Sequence, residues 1–252
     1  MGGTVSVLRQ PTDDRLAARV RRPPVDPSGH GAARTLDTVP AFADLLPGGA
    51  LRAGATYSII GSTALTMALL AGPSTAGAWC GVVGMPGFAA TAGTGLGVDL
   101  SRLVFVPDPG PRWLSVVGAL IDALTVVVVR PPTTVGDAEA ARIAARLRQR
   151  EAVLVTCGPW PRRQAQLTVT ASSWFGVGSG HGHLTARQAT VVSRGRGTAV
   201  RPRHTRLWLP DPDGVVRVAE EAVTAADAPA ADAAPVEIPA TDTPAWVREA
   251  AG

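Results

Sequence analysis

The segment between Ala152 and Pro210 has the residue types that bind nucleic acids or protein partners. It contains eight arginines and no acidic residue, with Trp160, Trp174 and Trp208 interleaved. Arginines neutralise phosphates, and aromatic rings stack on unpaired bases at about 1–3 kcal/mol per base. Arg and Trp are also enriched at the energetic centres of protein interfaces. The candidates for contact with a partner or with DNA are Arg187, Arg194, Arg196, Arg201, Arg203, Arg206, Trp174 and Trp208.

Three interpretations of this segment stay open. It is a solvated basic face with tryptophans in the core, a protein interface, or a grip on single-stranded DNA. The distribution of charge favours an anionic partner for the body of the chain, since residues 1–210 carry 22 arginines against 11 acids. Residues 211–252 carry 2 arginines against 9 acids, so this acidic tail either shields the basic body or docks elsewhere.

The basic residues themselves exclude several kinds of chemistry. All 24 of them are arginines. Without lysine there is no Schiff base, no lysine general base and no P-loop lysine to reach the phosphates of a nucleotide. GC-rich codon usage accounts for most of the bias, but the chemical consequence is the same.

Metal and redox chemistry are not expected. His181, His183 and His204 lie in a segment without acidic residues and without a nearby cysteine, which leaves a ligand set for a metal incomplete. Cys80 and Cys157 lie inside apolar runs, and we interpret them as reduced core residues. We expect no metal and no cofactor. With no signal-type segment and no apolar run of about 18 residues, we expect a cytoplasmic protein without membrane contact.

The candidate residues belong to an alternation of strands and helices. Strands are predicted at residues 55–60, 78–83, 103–106, 125–129 and 153–156. Helices are predicted at residues 64–71, 88–95, 112–124 and 137–150. The unbroken valine run at 126–129 is typical of a parallel strand that is buried on both faces. After Pro159 the pattern becomes strands without helices, at residues 167–175, 184–193 and 205–209.

The predicted fold class is α/β: a mostly parallel sheet flanked by helices, with an antiparallel β extension on the C-terminal side and flexible tails. Residues 1–40 are predicted to form an arm that consists of a short basic helix at 13–22 and a linker. The prolines after residue 22 end the helix. Residues 41–215 form one domain. Residues 216–252 form an acidic tail that we predict to be disordered, with Trp246 either an anchor on a partner or part of a frayed terminus.

Residues 46–130 resemble the core of the RecA recombinase. The glycine-rich stretch at 46–54 looks like the family's lead-in to its first core strand, and residues 78–83 look like the second strand. Leu96-Gly97-Val98-Asp99-Leu100 looks like a short family signature, and residues 103–108 look like the strand after it. Residues 125–129 match the Walker B strand. The resemblance implies a RecA-like fold.

The residues that the resemblance assigns to ATP chemistry are replaced. The phosphate loop of the family ends in Gly-Lys-Thr, whereas Gly61-Ser62-Thr63-Ala64-Leu65-Thr66 is shorter and has no lysine. Arg130 stands where an aspartate helps to hold Mg²⁺, and Gly84-Met85-Pro86 stands where an acid activates water. The degenerate nucleotide site is therefore predicted at Gly61, Ser62, Thr63, Thr66, Pro86 and Arg130. We expect a pseudo-ATPase without catalytic residues, although an arginine from elsewhere is an alternative source of the missing cation.

Within this superfamily, residues 40–215 look like the ImuA-type accessory proteins of bacterial SOS mutagenesis, in particular their divergent actinobacterial branch. The motifs are the stretch 174–180, His181-Gly182-His183-Leu184, Arg194-Gly195-Arg196-Gly197 and Leu207-Trp208-Leu209-Pro210. The resemblance implies a non-catalytic adaptor in DNA-damage-induced translesion synthesis, associated with the nucleoid when active. Its partners would be an ImuB-like inactive Y-family polymerase homologue and an error-prone DnaE-type polymerase, with single-stranded DNA as a further candidate.

Two other functions stay open. One is a DNA-binding regulatory protein, or a modulator of recombination or division, that acts without polymerase partners. The other is a DNA-repair ATPase that still depends on a nucleotide held by unusual ligands.

Overall fold

The computed structural model describes residues 34–88, 90–178, 181–196, 201–219 and 236–237. The predicted basic helix at 13–22 and the predicted anchor Trp246 lie outside these residues.

The strands and helices alternate through the first two thirds of the chain. The strands are β1 (Thr35–Leu36), β2 (Leu51–Arg52), β3 (Thr56–Ile60), β4 (Cys80–Val83), β5 (Leu103–Val106), β6 (Val126–Val129) and β7 (Val153–Cys157). The helices are α1 (Thr63–Thr75), α2 (Ala90–Gly95), α3 (Trp113–Ala123) and α4 (Asp137–Arg150). The strands and helices predicted for this part are confirmed, and α1 continues one turn beyond its predicted end.

Five strands follow without an intervening helix among the described residues. They are β8 (Ala165–Gly178), β9 (His181–Gly195), β10 (Arg203–Trp208), β11 (Arg217–Val218) and β12 (Val236–Glu237). The last two are short, and they lie in the segment that the composition predicts to be disordered. The ordered part of the chain therefore extends past residue 215.

The large sheet has the order β11-β10-β9-β8-β3-β7-β6-β4-β5, and β12 pairs with β8. Every neighbouring pair from β8 to β5 is parallel, and the pairs from β8 to β11 are antiparallel. The protein is therefore an α/β protein with a mostly parallel sheet, antiparallel strands at its C-terminal end and flanking helices, as predicted.

The valines of β6 lie at the centre of the two-sided core. Val126 and Val128 pack with residues of α1 on one face of the sheet, and Val127 and Val129 pack with residues of α3 and α4 on the other. Successive side chains of a strand point to opposite faces, so an unbroken apolar strand requires cover on both. We call these the α1 face and the α4 face. Over β8, β9 and β10 the α4 face carries mostly polar, partly exposed side chains.

None of the helices in the described ranges is long and apolar enough to cross a membrane.

Helices α3 and α4 are joined by a carboxylate with two arginine partners. Arg146 Nε donates to Asp122 Oδ1 at 2.8 Å, and Arg150 Nε donates to the same oxygen at 3.1 Å. The hydrogen bond from Arg146, assisted by Arg150, lowers the pKa of Asp122 from 3.8 to about 2. The ionised carboxylate is thus stabilised in the folded state.

We expect Asp122→Asn to lower the free energy of unfolding by about 0.5–1 kcal/mol at pH 7, the upper range for a partly exposed ion pair. Because the pKa is lowered on folding, this stabilisation is complete above the unfolded pKa of about 4 and is lost as the pH falls towards 2. Urea denaturation of the parent and of Asp122→Asn across that pH range measures it, with the exposed Asp44→Asn as the control. A difference that stays constant down to pH 2 would contradict the assignment.

Candidate functional site

The loops that follow the parallel strands meet at one edge of the sheet, which we call the carboxyl edge. Gly61 follows β3, Gly84 follows β4, Arg130 follows β6 and Gly158 follows β7. Ligands of open α/β sheets bind at this edge. The structure therefore brings together the residues around Gly61, Pro86 and Arg130 that the sequence assigned to a degenerate nucleotide site.

The loop between β3 and α1 is closed by its own hydrogen bonds. Gly61 has φ +81°, a conformation that favours glycine. Ser62 caps α1, because its Oγ accepts from the backbone N–H of Leu65 at 3.1 Å. Thr66 is fully buried, and its hydroxyl donates to the Ser62 carbonyl at 3.1 Å. The threonine hydroxyl is therefore used inside the helix and does not face the open edge.

Arg187 reaches this loop from β9. One guanidinium nitrogen, Nη1, donates to Ser62 Oγ at 3.3 Å. Nε and Nη2 donate to Ser172 Oγ at 3.1 and 2.7 Å, and the guanidinium carbon lies 5.1 Å from the centre of the Trp174 ring. Burial lowers the pKa of Arg187 from its ordinary value, but an arginine remains charged at neutral pH. The structure thus places the guanidinium of Arg187 at the loop, where an arginine that replaced the missing lysine would have to lie. The guanidinium is hydrogen-bonded to the hydroxyls of Ser62 and Ser172.

The first residue of the loop after β4, Gly84, has no room for a side chain. Gly84 has φ +70°, and a Cβ built there would lie 2.7 Å from the carbonyl oxygen of Arg130. Next to it, Met85 is buried and Pro86 is exposed. In the stretch Gly84-Met85-Pro86, where the family resemblance expects a general base, Gly84 is therefore held by backbone contact and Pro86 lacks an ionisable group.

The space below the loop is filled by apolar and sulfur-containing side chains. Cys157 Sγ lies 3.5 Å from Thr66 Oγ1 and 3.5 Å from Met85 Sδ. Burial raises the pKa of the Cys157 thiol, so it stays protonated at neutral pH. Cys80 is buried in β4, where burial raises its pKa to about 12. Both thiols are free, and neither is poised as a nucleophile.

A cavity of about 520 Å³ lies beside Arg130, where β6 and β7 end. Prolines and Trp160 line it, together with Arg130 and Arg163. Trp160 is only 2% exposed, so it belongs to the core. Arg163 donates to the Trp160 carbonyl at 3.2 Å. The cavity is mainly apolar and carries two cations at its rim.

The predicted partner-contact residues do not form one surface. Arg187 and Trp174 lie at the β3 loop, and Arg203 donates to the carbonyls of Asp44 and Leu46 at 3.2 and 3.1 Å. Trp208 packs against Phe175 with ring centres 5.2 Å apart. The remaining candidates are exposed arginines, namely Arg194, Arg196, Arg201 and Arg206.

Two residues at the site were missed by the sequence analysis. Ser172 fixes the Arg187 guanidinium, and Arg217 lies over the Trp208 ring at 5.7 Å while it donates to the buried Asp211. A serine in a run of small polar residues gives no signal in a single sequence. Arg217 lies in residues 216–252, which the composition predicts to be a disordered tail, so it was not a candidate contact residue.

His183 and His204 are exposed. The described residues contain no group of three or more metal-ligating side chains.

These features define an α/β protein whose carboxyl edge is occupied by its own side chains. Residues 44–162 match the family model described as the MT3502 N-terminal domain. The chain is also similar to the uncharacterized protein Rv3395c of Mycobacterium tuberculosis, with 35% identity over 133 residues. That alignment takes in 52% of this chain and 62% of the mycobacterial protein, so the chain spans less than two thirds of its relative. Both similarities fit an actinobacterial family, and neither description states an activity.

We expect Gly84→Ala to lower the free energy of unfolding by about 1–3 kcal/mol, because alanine is strained at φ +70° and its Cβ would collide with the Arg130 carbonyl. Gly87→Ala is the matched control, since a Cβ there meets nothing within 4 Å, and we expect its effect to stay within about 0.5 kcal/mol. Urea denaturation of the three proteins measures both. Equal stability of Gly84→Ala and Gly87→Ala would show that the loop yields easily and that an acid could be accommodated.

Proposed function

We propose that this protein is a non-catalytic, RecA-like adaptor in DNA-damage-induced translesion synthesis. The observation that carries the proposal is the chemistry of the carboxyl edge. In the described structure, the residues that directly follow β3, β4, β6 and β7 include glycine, serine, methionine, proline and arginine, and no carboxylate.

The strand ends around the β3 loop lack what ATP hydrolysis requires. Asp108 follows β5 at the same edge, but β5 is the outermost parallel strand and is separated from β3 by β7, β6 and β4. A magnesium ion binds through oxygen ligands, usually carboxylates together with substrate phosphates. Here the cations of Arg130 and Arg187 lie at the ends of β6 and of the β3 loop, which opposes the binding of a second cation. Activation of water requires a base within hydrogen-bond reach, and the stretch Gly84-Met85-Pro86, where the resemblance expects that base, has no ionisable side chain. Binding to other molecules is the function that such a fold retains.

The proposed partners are those that the resemblance to ImuA-type proteins implies, and the α4 face of β9 and β10 offers a surface that could bind them. The proposed partners are an ImuB-like polymerase homologue and an error-prone DnaE-type polymerase. The α4 face of β9 and β10 presents exposed arginines beside the ring of Trp208, and Arg and Trp are the residue types enriched at interface centres. Similarity to proteins without a stated activity neither favours nor opposes this assignment.

A second candidate function is a DNA-binding regulatory protein that acts without a polymerase. The exposed arginines favour it, because they have no ion-pair partner in the described part of the chain. The two candidates differ in what the protein captures from a cell.

Affinity purification of the tagged protein from DNA-damaged cells, with nuclease in the lysate, tests the adaptor. We expect the ImuB-like protein and the DnaE-type polymerase to be recovered, and we expect Arg194→Glu/Arg206→Glu to reduce recovery at least about tenfold because charge reversal at an interface rim repels the partner. Arg112→Glu/Arg142→Glu carries the same charge change at exposed positions of α3 and α4. This control should recover both partners.

Recovery of neither protein by the parent chain would contradict the adaptor. If the protein recovers DNA-bound proteins when nuclease is omitted but not when nuclease is present, the result would favour the DNA-binding regulatory protein.

A further inference from the structure

A cleft with four arginines lies at the opposite edge of the sheet from the candidate site. It has a volume of about 320 Å³ and lies between the last turns of α4 and the start of β8. Its arginines are Arg52, Arg148, Arg162 and Arg196, and its other lining residues include Gln164 and the backbone before β3. No acidic residue lines it.

Backbone contacts fix the walls of this cleft. Gly54 has φ +78°, and a Cβ there would lie 3.1 Å from the Cα of Arg148, so glycine allows the loop to pack directly on α4. Gly54 N–H donates to the Ala152 carbonyl at 2.9 Å, and Gln164 N–H donates to the Thr56 carbonyl at 2.7 Å. Arg196 N–H donates to the Gln164 carbonyl at 3.0 Å. The backbone segments that carry Arg52, Arg148 and Arg196 are thereby held together.

Among the described residues, few acidic side chains balance the charges of the cleft. Arg162 lies 3.9 Å from Asp137, but both side chains are more than half exposed, so this pair contributes little. Arg52, Arg148 and Arg196 have no ion-pair partner in the ranges that the structure describes. Cations that converge on a concave surface repel one another and attract an anion. Guanidinium groups match the oxygens of phosphate particularly well.

The arginines continue out of the cleft along one face of the sheet. Arg194 precedes Arg196 by two residues and pairs in register with Gln166, itself two residues after Gln164. Side chains alternate along a strand, so Arg194 lies on the same face as Thr190 and Gln188. Arg206 lies opposite Thr190, and Trp208 lies opposite Gln188. Arg196, Arg194, Arg206 and Trp208 thus follow one another on the α4 face.

The length of this path distinguishes a polymer from a small anion. Eight residues separate Gln188 from Arg196, which is about 27 Å along a strand. A free phosphate or a single nucleotide would occupy only the cleft. A chain of phosphates with unpaired bases would contact the cleft, the open arginines and the ring of Trp208 in succession.

We propose that the cleft holds the phosphate backbone of a single-stranded nucleic acid, which then continues across the α4 face past Arg194 and Arg206 to Trp208. This inference does not depend on the polymerase partners. It adds a nucleic-acid site, with Arg52, Arg148 and Arg162, to a protein whose proposed function rests on protein contacts.

Fluorescence anisotropy with a labelled oligo-dT of about 16 nucleotides, in a series of NaCl concentrations, tests the proposal. The parent should bind with a salt slope of about −0.7 per phosphate contact. Arg148→Gln/Arg196→Gln removes two contacts, so its slope should be shallower by about 1.4 and its affinity lower by about tenfold or more at low salt. Arg112→Gln/Arg142→Gln, which removes two exposed arginines elsewhere, should bind as the parent does.

Thermal unfolding of each variant shows whether it is folded, and the single variant Arg52→Gln serves in case the double variant is not. An unchanged slope and affinity in folded Arg148→Gln/Arg196→Gln would overturn the proposal, as would a parent that does not bind the oligonucleotide. Displacement of the oligonucleotide by polyglutamate at equal charge concentration would assign the cleft to an acidic polypeptide instead. Displacement by pyrophosphate alone would assign it to a small phosphate ligand.

Discussion

The hydrogen bonds from Arg187 to Ser62 and Ser172 decide what the carboxyl edge can do. They connect the adjacent strands β8 and β9 to the N-cap residue of α1, which lies 125 residues before Arg187 in the sequence. A guanidinium that is partly buried against an aromatic ring loses hydration, so leaving it without partners would be costly. The hydroxyl of Ser62 is consequently committed to Arg187 and to the cap of α1. An entering phosphate would have to replace both contacts.

The same edge combines this occupied loop with positions that exclude a carboxylate. Gly84 adopts a positive φ against the Arg130 backbone, and Met85, Thr66 and Cys157 fill the interior below. The proposed contact surfaces are the α4 face of β9 and β10, on which no described helix packs, and the arginine cleft. A scaffold with this edge closed can still present its outer strands to partners, because those strands belong to the same continuous sheet.

Much of the fold could be predicted from the residues, and much of the site could not. The valines of β6 and the helical spacing of Ile143 and Leu147 are strong local signals, and the structure confirms the elements that they predicted. The contacts of a side chain depend on the register between strands, which local patterns in a single sequence do not reveal. The sequence analysis therefore predicted Arg187 and Arg203 to contact a partner. In the structure Arg187 donates to Ser62, and Arg203 donates to the carbonyls of Asp44 and Leu46. The arginine cleft was missed for the same reason, since Arg52, Arg148 and Arg196 meet only in three dimensions.

The central claim of the proposed function is that the carboxyl edge does not support ATP hydrolysis, and phosphate release by the purified protein tests it most directly. The measurement uses ATP and Mg²⁺, with and without single-stranded DNA, and compares the parent with Arg187→Ala. The account predicts no release above that of the buffer in any of these samples, because no carboxylate that could hold Mg²⁺ or act as a base directly follows β3, β4 or β6. Steady release by the parent that is stimulated by DNA and lost in Arg187→Ala would contradict it, and would show that Arg187 replaces the missing lysine.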